Sequence, residues 1–152
     1  MHQNILITQA GLDTLKAELA DLVDNRRPAQ VARLTAARDM GDLSENSDYI
    51  SAKEELTFID GRIAELEDII RIAKVTAPSS NSQISFGHTV TVRVNSTHVV
   101  YKIVGEWEAD PAEKKISMSS PLGQALIGKK VGDKVEVTAP AGKILYTIVT
   151  IE

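Results

Sequence analysis

The sequence predicts an α+β protein: a long antiparallel α-helical hairpin followed by a small, mostly antiparallel sheet domain. Three observations carry that expectation. Apolar residues recur in steps of three and four at Tyr49, Ala52, Leu56, Ile59, Ile63, Leu66, Ile70 and Ala73, the seam of a helix packed along one partner. A second stripe of the same spacing precedes it, at Leu12, Leu15, Leu19 and Leu22. Beyond the polar, proline-containing stretch Thr76-Ala77-Pro78-Ser79-Ser80-Asn81-Ser82-Gln83 the period changes to two, which marks strands with one buried face. The expected boundaries are a coiled-coil hairpin over 1–76, a linker over 77–83 and a sheet domain over 84–152.

Residues 1–7 read as a short tail. Thr8 is a good N-cap for a helix starting near Gln9. Pro28, in Asn25-Arg26-Arg27-Pro28, removes one backbone donor and should kink or break that helix. The apolar stripe resumes in a shifted phase at Val31, Leu34 and Ala37, so one kinked helix or two helices meeting at Pro28 are both open. Gly41 suits a chain reversal, and Ser44 or Asn46 can cap the returning helix, which runs to about Lys74. In the second half, strands are expected at Val90–Val94, Val99–Val104, Lys115–Met118, Val135–Val137 and Ile144–Ile151. Asn95-Ser96 and Pro140-Ala141-Gly142 form turns, and Pro121–Ile127 a short helix.

Composition narrows the function. Residues 1–76 hold 9 Lys/Arg and 14 Asp/Glu, a net of 9 − 14 = −5, and residues 77–152 hold 8 and 7, a net of +1. An acidic chain is no general nucleic-acid binder, because non-specific affinity comes from neutralising phosphates. The absence of cysteine excludes disulfide and thiol chemistry and agrees with a cytosolic protein. No membrane span and no secretory signal are expected. His2, His88 and His98 are scattered without ligand spacing and read as structural or surface residues.

One stretch stands out chemically. Asp39, Asp42, Glu45 and Asp48 lie three residues apart around the reversal, opposed only by Arg38. If the turn is partly helical, these carboxylates crowd one face. They could be a solvating, capping loop. They could also offer a carboxylate pair to Mg2+, which commonly takes one or two carboxylates and completes its shell with water or phosphate oxygens. Two carboxylates are too few for a tight site, so such a tip would work beside ligands from another molecule. Arg26, Arg27, Arg33, Arg38 and Lys53 are either solvated helix faces or guides for RNA phosphates.

The run Arg38-Asp39-Met40-Gly41-Asp42-Leu43-Ser44-Glu45-Asn46-Ser47-Asp48-Tyr49, with Ala52-Lys53-Glu54 behind it, resembles the tip motif of the bacterial GreA/GreB transcript cleavage factors. Arg26-Arg27-Pro28, Gly61-Arg62-Ile63-Ala64-Glu65-Leu66-Glu67 and Ser117–Ile127, closing on Gly132-Asp133, fit the same family in the same order. The acidic balance and the Ala52-Lys53-Glu54 stretch look more like its GreA branch. The resemblance spans essentially the whole chain. It implies an N-terminal coiled coil joined to an FKBP-like domain that docks on RNA polymerase at the rim of its secondary channel. It further implies that the chain is a monomer in function and not an enzyme alone, but a factor that stimulates the polymerase's own hydrolysis of backtracked RNA, whose 3′ end lies in the channel.

Carried over residue by residue, the resemblance makes Asp42 and Glu45 the carboxylates that help hold an Mg2+ shared with the polymerase. Gly41, Asn46, Asp39 and Asp48 support the tip, and Arg38 and Lys53 are candidates for contacting RNA or the channel wall. Ser120, Pro121 and Leu122 belong to the polymerase-docking surface. Three rivals stay open: a channel-binding inhibitor without cleavage activity, a coiled-coil interaction module or holdase, and a prolyl isomerase. The last needs an aromatic-lined pocket, for which Phe86, Tyr101, Trp107 and Tyr146 are few.

Overall fold

A computed structural model of the chain describes residues 4–42 and 45–152. The chain divides into two compact units, one around residues 12–73 and one combining residues 4–11 with 74–152. No described helix is long and apolar enough to cross a membrane.

The helical unit is a hairpin. Helix α1 spans Gln9–Asp21, a π-helical turn follows at Leu22–Arg26, and α2 spans Arg27–Arg38. The returning helix α3 spans Ser47–Ile72. Thr8 caps α1, its Oγ1 accepting from the Gly11 N–H at 3.0 Å. At 26 residues, α3 is about 39 Å long at ~1.5 Å per residue.

The π turn settles what Pro28 does. Proline cannot donate to the carbonyl four residues back, and its ring collides with it. Just ahead of Pro28 the helix widens, and the Arg27 N–H reaches the Leu22 carbonyl five residues back. The chain stays helical throughout, with Asp21, Arg26 and Arg27 all right-handed. The extra residue also accounts for the phase shift. Buried positions along this arm are Leu15, Leu22, Gln30 and Ala37, in steps of 7, 8 and 7. Opposite them Ala52, Ile59 and Leu66 are buried in steps of 7 and 7, followed by Ile69.

Polar groups set the register of the two arms. Gln30 is buried, and its side-chain amide donates to the Ala52 carbonyl at 3.0 Å. Ala52, fully buried, leaves room for that approach. Arg62 donates twice to Glu18 across the arms and once to Glu65 on its own helix; these bonds hold its guanidinium well above its ordinary pKa. Arg27 donates to Asp60. Truncating Gln30→Ala removes the buried hydrogen bond and opens a void at the seam. Its expected cost is about 1–3 kcal/mol, read as a lower urea midpoint for the helical signal.

The main sheet of the second unit has five strands: β3 at Thr89–Val94, β4 at Thr97–Val104, β5 at Lys115–Ser117, β6 at Lys134–Ala139 and β7 at Gly142–Ile151. Their order is β5-β4-β3-β7-β6. All pairs are antiparallel except β4 with β5. Asn95 and Ser96, at φ 49° and 67°, make the tight two-residue turn between β3 and β4, as their residue types favour. Val90, Val92, Ile103, Val135, Tyr146 and Ile148 form the core, and Leu126 of helix α4 (Pro121–Leu126) closes it.

Two expectations need correction. Ile5–Ile7 is not a tail but strand β1, paired with β2 at Ala73–Val75. Ile7 is buried, and its carbonyl accepts from the Thr76 N–H at 3.0 Å. Helix α3 therefore ends at Ile72 rather than near Lys74, because the following residues are extended to pair with β1. Glu108 adds a clasp, accepting from the Thr8 and Gly105 backbone amides and from the Thr8 hydroxyl.

His88 is fully buried with both ring nitrogens bonded. The Ser85 N–H donates to Nδ1, so Nε2 carries the proton and donates to Asn81 Oδ1. Its role is structural. His98 is exposed, and His2 lies outside the described residues.

Candidate functional site at the hairpin tip

The tip begins where α2 stops. Asp39 is its C-terminal cap, with φ −73° and ψ −9°. Its N–H and that of Met40 donate to Thr35 and Ala37 carbonyls. Gly41 then turns to φ +145°, a conformation that favours glycine. Helical geometry ends there, so the four carboxylates do not share one helical face as a helical turn would have required. Asp39 stays at the end of α2, Asp48 lies in the first turn of α3, and Asp42 and Glu45 belong to the loop between them.

Asp42 and Glu45 are both exposed, as is Met40 at 81%. Leu43 and Ser44 lie outside the described residues, so Ser44 as the helix cap does too. Asn46 is the cap: its Oδ1 accepts from the Tyr49 N–H at 3.0 Å. Its Nδ2 donates to the Ala37 carbonyl at 2.6 Å, a bond across the loop that sequence reasoning missed. Arg38 is exposed at the last position of α2, and Lys53 is exposed in the second turn of α3.

Among the described residues, no three His, Asp or Glu side chains come together in a set able to hold a metal ion.

The residues expected to dock a partner lie in the other unit, around the start of α4. Ser120 is half-buried and its hydroxyl is used within the chain. It donates to the Ser117 carbonyl at 2.7 Å and accepts from the Gly123 N–H at 3.0 Å. Leu122 packs against the sheet core, and Pro121 is exposed. Of the three, Pro121 is the side chain most available to another molecule.

The family model "Transcription elongation factor, N-terminal" matches residues 5–75, and "Transcription elongation factor, GreA/GreB, C-term" matches residues 79–152. The chain is 45% identical to "Transcription elongation factor GreA" of Lactococcus lactis subsp. cremoris, covering 100% of both chains. It is 46% identical to the protein of that name from Rhodospirillum rubrum, covering 96% of each. It is also similar to the crystal structure of GreA factor homolog 1 of Thermus thermophilus, at 28% identity over 99% of both chains with a TM-score of 0.46. By both halves of its length, and by full-length identity to curated relatives, the chain belongs to the GreA/GreB family of transcription elongation factors.

Proposed function

We propose that this chain inserts the tip of its helical hairpin into the secondary channel of RNA polymerase and stimulates the polymerase's own hydrolysis of backtracked RNA. The observation that carries the proposal is the position of Asp42 and Glu45: both are exposed, in the loop that joins two long antiparallel helices. A loop so placed is the end of the hairpin arm, narrow enough to enter a channel. Its two carboxylates contribute oxygen donors beside those of the polymerase and the RNA. Asp42 and Glu45 would help hold an Mg2+ ion shared with the polymerase, which would supply Lewis-acid activation of water and charge neutralisation at phosphorus. Asp42 and Glu45 bind and orient; Arg38 and Lys53 face RNA phosphates or the channel wall; Pro121 contributes to docking on the channel rim. The chain acts in the cytoplasm as a monomer and is no nuclease by itself.

The experiment is cleavage of 3′-labelled RNA in stalled, backtracked elongation complexes, with and without the full-length chain. The expected result is faster release of short 3′ fragments and resumed elongation. Slower nucleotide addition with no fragment release would overturn the proposal in favour of a channel-blocking inhibitor.

A further inference from the structure

We propose that Asn46 is a positioning residue for the tip carboxylates, a two-ended clasp that sets the span of the loop carrying them. This rests on the function proposed above for Asp42 and Glu45. One side-chain amide bonds both helix ends. Its oxygen accepts from the Tyr49 N–H in the first turn of α3, and its nitrogen donates to the Ala37 carbonyl in the last turn of α2. Ala37 is buried in the seam, so the α2 end of the clasp is anchored to packed structure. The Asn46 backbone carbonyl also accepts from the Ile50 N–H at 3.1 Å, which ties the residue into α3.

Glu45 is the preceding residue, its Cα about 3.8 Å from that of Asn46. The clasp therefore fixes the mouth of the loop one peptide away from one of the two carboxylates. The bond to Ala37 is the distinctive part. An N-cap needs only an acceptor oxygen, which Asp or Ser supplies as well as Asn. Only the amide carries a donor and an acceptor on two separate terminal atoms; ionised Asp has no donor, and the Ser hydroxyl sits one atom closer to the backbone.

Two substitutions separate the roles. Asn46→Asp and Asn46→Ser both keep a capping oxygen for Tyr49; Asp loses the donor to Ala37 outright, and Ser retains only a hydroxyl one atom shorter than the amide arm. Asp should even favour the helix, since negative charge suits its N-terminus. Each variant is measured for melting temperature, for polymerase binding by competition, and for stimulated cleavage. The loop span is read from spin labels at cysteines replacing Met40 and Ser51, in a chain that has no cysteine of its own.

The expected result is unchanged binding and melting, a broadened label distance, and stimulation reduced roughly 10- to 100-fold, the size of loss that small misplacements of reacting groups produce. Stimulation within twofold of the parent chain in both variants would overturn the proposal, as would a loss of stimulation with an unchanged distance distribution. If Asp42→Asn and Glu45→Gln also left stimulation intact, the reading of the tip itself would fail. If they abolished it while the Asn46 variants did not, the clasp alone would fail.

Discussion

Neutralising both tip carboxylates, Asp42→Asn together with Glu45→Gln, is expected to abolish stimulated RNA cleavage while leaving the fold and polymerase binding intact. The change is nearly isosteric, and both residues are exposed, so the stability change should stay within about 0.5 kcal/mol. What is lost is the pair of negative oxygens. An amide oxygen is a poorer ligand for a hard cation, and two such replacements leave the tip without the charge that makes Mg2+ binding favourable. Stimulated rates should fall by about 100-fold or more, as when a group stabilising charge in a transition state is removed. Single-turnover cleavage at saturating factor measures the loss directly. Unchanged competition for polymerase would show that the arm still enters its site.

The second large effect is structural and lies in the other unit. Gly123→Ala should destabilise the sheet unit by roughly 3 kcal/mol, the upper end of the usual cost of overpacking. A Cβ at Gly123 would sit 2.0 Å from the Ser117 carbonyl oxygen and 3.0 Å from the Ser120 hydroxyl oxygen. The first of these is backbone and cannot swing away. That carbonyl is also the acceptor for the Ser120 hydroxyl, which in turn caps α4 through Gly123. One methyl group therefore presses on the β5 end, the cap and the helix together. For a unit of this size, the melting temperature should fall by about 12–24 °C. The helical hairpin has its own seam, and its circular dichroism should persist above the transition. A melting temperature within about 2 °C of the parent would show that the backbone accommodates the methyl.

Much of this fold was legible because it rests on local periodicity. The stripe from Tyr49 to Ile70 could face only one partner, and each residue it named is buried or half-buried along α3, although the buried Ile69 lies outside it. The strands and turns of the sheet unit followed from alternation and from Asn95-Ser96 and Pro140–Gly142. What was not legible depends on residues far apart or on backbone choices that side chains do not announce. Strand β1 is three residues long and exists because Ala73–Val75 pairs with it from across the chain. Pro28 and a phase shift were visible, but a kink, a break and a π turn all explain them equally until the Arg27 to Leu22 bond is seen.

The tip divides the same way. Its acidic residues and its capping asparagine are readable from residue type. The condition for a shared helical face, a partly helical turn, is not met at Gly41, whose positive φ ends the helix before Asp42. The bond from Asn46 to Ala37 needed the hairpin already closed, since nine residues separate the partners.

The proposed function requires the tip to reach the RNA. A photoreactive crosslinker on a single cysteine replacing Met40, exposed beside Asp42 in a chain without other cysteines, tests this in a backtracked elongation complex. Adducts to the 3′ segment of the transcript, competed away by unlabelled factor, are predicted. Adducts confined to the outer surface of the polymerase, or none to RNA under conditions where the factor is bound, would contradict it.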